Sequence, residues 1–529
     1  MAKLDSLTSL RFFAALWIVL FHARDQFNCL WDLSRDIVFS QGVTFFFVLS
    51  GFILAYVYPQ FSSKQEIGSY LLKRVGRIWP LHALCLMFVV LFLPLGVQLE
   101  PSSLQYPYPL LFFTNLFLVQ SLILVSQFYF SFNPPAWSLS AELFFYALLP
   151  MILNPLNEKE TAIKIIPFLV CLLIVLTLCI FANAFDLPQT GTDIASLEAL
   201  LGVYPLVRIF DFCTGVYMGC FFRQNKDKIK SQLNTTSATL LELAALLAVF
   251  VAIWNTSYIA NAAKNISFIS NAGSYWLRES GLVIVFFAAL IFVLALERGY
   301  LSKILSAPYL VLLGEISFAI YLWHFPLIKI FYAYIPHERS LRAFCFYLII
   351  LFCLSFLSYK LWESPARKLF AQMANKEKIG LKQLLPKFDL NIAISLILLC
   401  SSTYFVQDKI QNLNNSQLAR LKEKKSFTLT QKSFDSNLSL YGYQIESTPF
   451  GKRVDLLWVR KDGNSACDSM LVQLFNAKNE LFHQQQLRLC FTGSGNFVLP
   501  VELPERAFKE ATKLTLRTNN NEESLILAH

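Results

Sequence analysis

Residues 9–23, SLRFFAALWIVLFHA, put an arginine near the start and a histidine near the end of one apolar run. An ionisable group inside a membrane span is costly enough to need a functional reason. On a helix, the eleven steps from Arg11 to His22 cover about 16 Å, roughly half the hydrocarbon thickness, so the two groups lie at different depths. A second basic cluster, Arg74 and Arg77 in LLKRVGRIWP, follows one expected helix later.

Composition points the same way. A chain of 529 residues that is 55% hydrophobic, with 50 phenylalanines and a mean hydropathy of +0.50, has more apolar surface than a soluble core can hide. The expectation is an all-α polytopic membrane protein. The sequence HARDQ after the first run lacks a small-x-small cleavage pattern, so that run is expected to stay as a span. The net charge of +10 is read as loop charge that sets orientation, not as a nucleic-acid surface.

Crossings are expected near 8–24, 37–58, 78–96, 136–153, 165–183, 204–222, 237–258, 278–297, 309–334, 341–362 and 389–406. With the N-terminus inside, the inner segments collect Lys73, Arg74, Arg77, the run RQNKDKIK (223–230) and the basic stretch after Arg367. The outer segments keep only Arg24, Arg35, Lys264, Arg278, Arg339 and Arg342. That asymmetry favours a cytoplasmic N-terminus. Residues 109–130 are apolar enough to cross, but a crossing there would move RQNKDKIK outside, so they are read as re-entrant or interfacial.

Four regions follow: a transmembrane core at 1–370, a basic cytoplasmic linker at 371–388, an extra span at 389–406 and a tail at 407–529. Alternating runs in the tail, such as KSFTLTQ and RVDLLWVR, are separated by Gly, Asn, Asp and Pro turns and predict a β-rich, sandwich-like extracytoplasmic domain. Cys467 and Cys490 could pair there in an oxidising compartment, although spacing alone leaves this open. The other nine cysteines read mainly as small buried hydrophobes.

Glu142 in PPAWSLSAELFFYALLP is expected at a depth matching His22, where a carboxylate could orient an imidazole for proton abstraction. Arg74 and Arg77, at i and i+3, share one helix side. Paired guanidinium forks suit phosphate oxygens, and with Arg11 they would form an anion-binding mouth facing the cytosol. Taken singly, each arginine is equally explained by orientation and snorkelling. Ser50, His82, Glu315 and His324 are further candidates for the cavity lining, with packing or interfacial roles as the alternative. Glu315 and His324 lie two and a half turns apart and face opposite sides. Gly42 and Gly51 are expected to admit close helix contact, and Arg208 and Asp211 to form an internal ion pair. No HExxH, paired CxxC, Walker loop or dinucleotide fingerprint occurs, so no metal site and no resident cofactor is expected.

Six blocks occur in order: LDSLTSLRFFAALWIVLFHA, GVTFFFVLSGFILA, LLKRVGRIWPLHAL, PAWSLSAELFFYALLP, EISFAIYLWHFPL and LWESPARKLF. Together, over residues 4 to about 370, they resemble the membrane-bound acyltransferase 3 family. The resemblance implies a ten-span acyltransferase of the bacterial inner (cell) membrane. Such an enzyme takes an acyl group, usually acetyl, from cytosolic acyl-CoA to a hydroxyl of an extracytoplasmic carbohydrate or glycolipid. By family pattern the Arg-x10-His element is Arg11 and His22, the Arg-x-x-Arg element is Arg74 and Arg77, and the acidic residue is Glu142. The chain departs from the pattern at Ser6, where a glycine is usual, and at Thr8, where a basic residue is usual. The tail lacks the Gly-Asp-Ser block of the esterase-like domains that some relatives carry, and a binding or positioning role is expected for it. Two other classes fit the charges: a transporter or flippase for an anionic lipid-linked sugar, and an inactive scaffold displaying the tail. The oligomeric state is left open.

Overall fold

The computed structural model describes residues 3–27, 38, 40–99, 106–157, 161–190, 195–266, 270–334 and 340–375, together with eight strands between 427 and 526. The chain divides into two compact units, Met1–Asp389 and Leu390–His529.

The first unit is helical. Its main helices are α1 (Asp5–Phe27), α2 (Gln41–Val57), α3 (Lys64–Phe92), α4 (Trp137–Leu153), α5 (Thr161–Ala184), α6 (Pro205–Gln232), α7 (Thr235–Ala263), α8 (Ile284–Ala295), α9 (Pro308–Tyr334), α10 (Leu341–Ser358) and α11 (Ser364–Ala374). Among the described residues, nine helical stretches are long and apolar enough to cross a membrane, and α2 is a shorter apolar helix of 17 residues. Each of the ten crossings expected before residue 370 therefore has a helix. The expected span 389–406 and most of the linker 371–388 lie outside the described residues, and α11 runs past the expected boundary at 370.

The third helix begins well before the crossing expected at 78–96: α3 runs unbroken from Lys64 and carries Arg74 and Arg77 on the same helix. The Ser63 hydroxyl starts this helix by accepting from Glu66 N at 3.2 Å, while the Glu66 carboxylate accepts from Ser62 N at 2.8 Å. Likewise RQNKDKIK is the last part of α6 and not a loop.

Small residues set the two closest helix pairs. A Cβ on Gly51 of α2 would strike the Phe212 carbonyl of α6, and one on Gly215 of α6 would strike the Val48 carbonyl of α2. Only glycine lets these backbones meet. Gly314 of α9 sits in the same way on the Thr8 carbonyl of α1. Thr8 lies by Gly314 and His22 by His324, so α1 and α9 run parallel. Ser6 is fully buried and donates to Leu294 O at 3.0 Å.

Residues 109–130 form no single crossing. They break into helices Tyr108–Leu116 and Ser126–Tyr129 with a 3-10 turn at Gln120–Leu122, and Leu118 and Phe132 adopt positive φ. Neighbouring spans satisfy this irregular backbone. Lys329 Nζ donates to Gln98 O at 3.1 Å and to Phe132 O at 2.9 Å. Pro326 has no N–H for the Leu322 carbonyl, which accepts from Asn133 Nδ2 at 3.1 Å.

The ion pair expected on α6 is present, with Arg208 Nη2 3.0 Å from Asp211 Oδ2 and both side chains buried. Cys85, Cys171, Cys179, Cys213 and Cys220 are buried as expected of small hydrophobes, whereas Cys345 and Cys353 are exposed.

The second unit contains strands β1 (Phe427–Ser433), β2 (Leu438–Thr448), β3 (Gly451–Arg460), β4 (Ala466–Phe475), β5 (Leu481–Phe491), β6 (Gly495–Pro504), β7 (Lys513–Arg517) and β8 (Glu522–Ile526). They form two four-stranded sheets of order β1-β2-β3-β6 and β5-β4-β7-β8, and every pairing is antiparallel. The β4/β5 register sets Cys467 opposite Cys490.

Candidate active site

Arg11 on α1, Ser50 on α2, Arg74 and Arg77 on α3 and Glu142 on α4 line one cavity. The helical i, i+3 spacing on α3 presents both arginines to it. Glu142 Oε1 accepts from Ser50 Oγ at 2.9 Å and from the Tyr146 hydroxyl one turn along α4. Arg74 stacks its guanidinium 5.8 Å from the Tyr58 ring and 6.0 Å from the Tyr70 ring. Three guanidiniums thus face one carboxylate, and the cavity is net positive. Val43, Phe46, Leu49 and Ile53 of α2 give it an apolar flank.

Tyr321 of α9 and Ser138, one turn before Glu142 on α4, also line the cavity. Their hydroxyls lie 2.7 Å apart, and Tyr321 also donates to Pro135 O at 2.9 Å. Tyr321 in turn contacts a histidine pair. His324 Nε2 is 3.1 Å from His22 Nδ1, and His324 Nδ1 is 2.5 Å from Tyr321 O. A carbonyl only accepts, so His324 carries its proton on Nδ1 and offers Nε2 as acceptor. His22 then donates from Nδ1, shared between His324 and Ile18 O at 3.1 Å, which leaves the His22 Nε2 lone pair free. Phe21 and Phe325 pack against the His22 ring at 4.8 and 5.2 Å between centroids.

The sequence-derived candidates therefore divide. Arg11, Arg74, Arg77, Ser50 and Glu142 converge, and His22 meets His324. The expected contact between His22 and Glu142 is not made, because Glu142 belongs to the arginine cavity and the partner of His22 is on α9. His82 is not at the arginine mouth: it is 1% exposed and its Nε2 donates to Asn115 O at 2.8 Å, fastening the broken stretch to α3. Glu315 does not line the cavity either. It accepts from Lys3 Nζ at 2.9 Å and from the Tyr359 hydroxyl at 3.1 Å, and its hydrogen bond holds the Lys3 ammonium pKa above the ordinary lysine value.

Three elements of the site escaped the sequence reading: Tyr146, the contact between Ser138 and Tyr321, and the His22–His324 contact. Glu142 and Tyr146 stand at i and i+4, a spacing that was open to inspection. The other two depend on which helices are neighbours. Among the described residues, no group of three or more His, Cys, Asp or Glu side chains is arranged to hold a metal ion.

A model of the acyltransferase domain of the acyltransferase 3 type matches residues 4–360. The chain belongs to the acyltransferase 3 family. Named relatives include O-acetyltransferase OatA of Staphylococcus aureus (strain MRSA252), 25% identical over 446 residues that cover 80% of this chain and 66% of the relative. OatA of strain NCTC 8325 is 25% identical over 384 residues, covering 69% of this chain and 57% of that protein. Acyltransferase MdmB of Streptomyces mycarofaciens is 26% identical over 343 residues, 62% of this chain and 79% of the relative. The chain thus spans less than two thirds of the length of these OatA relatives. No solved structure matches it.

Proposed function

We propose that this chain moves an acyl group, acetyl in keeping with the names of its relatives, from cytosolic acyl-CoA to a hydroxyl of an extracytoplasmic or lipid-linked carbohydrate. In this reading the N-terminus is cytoplasmic, the membrane is the bacterial cell membrane, residues 389–406 form an extra span, and the tail at 407–529 lies outside. Arg11, Arg74 and Arg77 bind donor phosphates, and the apolar flank on α2 takes the pantetheine arm. Tyr321 stands between cavity and histidines, so the arm advances when that ring swings away from Ser138, a gating motion common in enzymes.

At the histidines, His22 Nε2 takes the acceptor's hydroxyl proton as its oxygen attacks the thioester carbonyl. The C–S bond breaks, the ester forms, and the leaving thiolate collects the proton from the His22 imidazolium. His324 holds the ring in the tautomer this step requires, the role that a carboxylate plays in a serine-protease triad. Glu142 acts on the donor side, by organising Ser50, Tyr146 and the arginine field.

The observation that carries this reading is the His22 ring, fixed through Nδ1 with Nε2 free, on the same helix as a cavity arginine. The test is purified protein in detergent with acetyl-CoA and a soluble glycan. CoA release coupled to ester formation, abolished in His22→Ala while CoA still binds, is the expected result. Movement of a lipid-linked sugar across vesicles with no acyl transfer would instead make it a transporter.

A further inference from the structure

Next to the arginine cavity, where α11 packs on α3, stands a buried carboxylate that the mechanism above leaves unused. Glu363 ends the wide helical turn Tyr359–Glu363 and is 3% exposed. Its Oε1 lies 3.6 Å from Arg367 Nη1, and its Oε2 is buried without a hydrogen-bond partner. The same carboxylate is within electrostatic range of Arg77 and Arg11, and Arg367 is within range of Arg77 and Arg74. Two contacts hold this corner in place: Phe370 of α11 against Gly76 of α3, and Trp362 Nε1 donating to Pro80 O at 2.9 Å.

A carboxylate buried with one oxygen unpaired is costly, and a 3.6 Å ion pair recovers little of that cost. Four guanidiniums, from Arg11, Arg74, Arg77 and Arg367, stand against the carboxylates of Glu142 and Glu363, so the surplus is positive. The fork of a guanidinium fits a phosphate better than it fits this loosely seated carboxylate.

We propose that Glu363 competes with a donor phosphate for Arg77 and Arg367, which makes Arg367 a further donor-binding residue and Glu363 the group that limits donor affinity. This rests on the reading of the mouth as the acyl-CoA site. It predicts effects of opposite sign from two residues one helical turn apart. Removing the carboxylate frees the arginines and tightens binding; removing the guanidinium weakens it. A merely structural pair would weaken binding from both sides.

The experiment is calorimetric titration of the full-length protein in detergent with CoA and, separately, with uncharged pantetheine. Glu363→Gln is expected to bind CoA about threefold tighter or more, and Arg367→Gln about tenfold more weakly, with pantetheine binding unchanged in both. Weaker CoA binding by Glu363→Gln at unchanged thermal stability, or undiminished binding by Arg367→Gln, would overturn the proposal. If Glu363→Gln does not fold, Arg367→Gln and Arg367→Lys decide: loss in the first with partial recovery in the second supports it, and equal affinity in both overturns it. CoA binding that obeys these signs in a protein with no acyl transfer would sink the catalytic reading and leave this one standing.

Discussion

His324 Nε2 lies 3.1 Å from His22 Nδ1, and the His324 ring is itself anchored through Nδ1 on the Tyr321 carbonyl. The two imidazoles come from helices 302 residues apart in sequence, brought side by side by the glycine contact between Gly314 and Thr8. The pair is therefore a product of helix packing, and in the proposed mechanism it makes His324 a positioning residue for His22.

The first prediction follows directly. His324→Ala is expected to lower kcat by about 10²-fold, with little change in donor KM, since the His22 tautomer is released but the arginines are untouched. His324→Gln, which keeps a hydrogen-bond acceptor, should recover part of the loss. Equal damage by both substitutions, or a loss confined to KM, would rule out His324 as the residue that positions His22.

How much of this was legible in the sequence depends on the range of the interaction. Hydropathy marked a helix at each of the ten expected crossings before residue 370 because burying or exposing an apolar run is a property of the run itself. The Arg74–Arg77 face and the Arg208–Asp211 pair were legible because helical spacing dictates them locally. The partner of His22 was not, because Glu142 and His324 both offered suitable chemistry and only the packing of α1 on α9 decides between them. The Gly215-x-x-x-Gly219 spacing on α6 was available as evidence for its contact with α2, and it would have placed α6 beside the cavity. His82 misled because a histidine close in sequence to an arginine pair turns, one helical turn later, toward Asn115.

Glu142 gives a second test, because its neighbours are Ser50 and Tyr146 and not His22. Glu142→Gln preserves the side-chain shape and removes one negative charge from the arginine cavity. It is expected to shift the KM for acyl-CoA while leaving the pH profile of kcat where it was. A shifted kcat profile would restore Glu142 as the partner of His22.

The Arg208–Asp211 pair predicts a stability pattern independent of catalysis. Both side chains are buried, and Arg208 Nη2 also donates to Thr44 Oγ1 at 2.8 Å, tying α6 to α2. Arg208→Met or Asp211→Leu alone leaves an uncompensated buried charge, at a cost of about 3–5 kcal/mol. The double replacement is expected to recover most of that loss. Thermal unfolding in detergent, analysed as a double-mutant cycle, checks it, and additive losses would show that the two groups are not coupled.

The reach of the donor can be read by placing a thiol on the cavity wall beside Tyr321. Ser138 lines the cavity there, and its hydroxyl lies 2.7 Å from that of Tyr321, so a cysteine at this position is expected to meet the acyl end of a donor bound at the arginines. In Ser138→Cys, bromoacetyl-CoA should alkylate position 138 faster than the exposed native Cys345, as followed by peptide mass spectrometry. Held next to an electrophile, a thiol reacts with a high effective molarity, whereas Cys345 reacts only by collision. Excess CoA should protect position 138 and not Cys345, and adding Arg77→Ala should abolish the preference. If position 138 reacts no faster than Cys345, or reacts equally well with bromoacetamide and with the CoA reagent, the cavity is not the donor's path and the arginines serve another ligand.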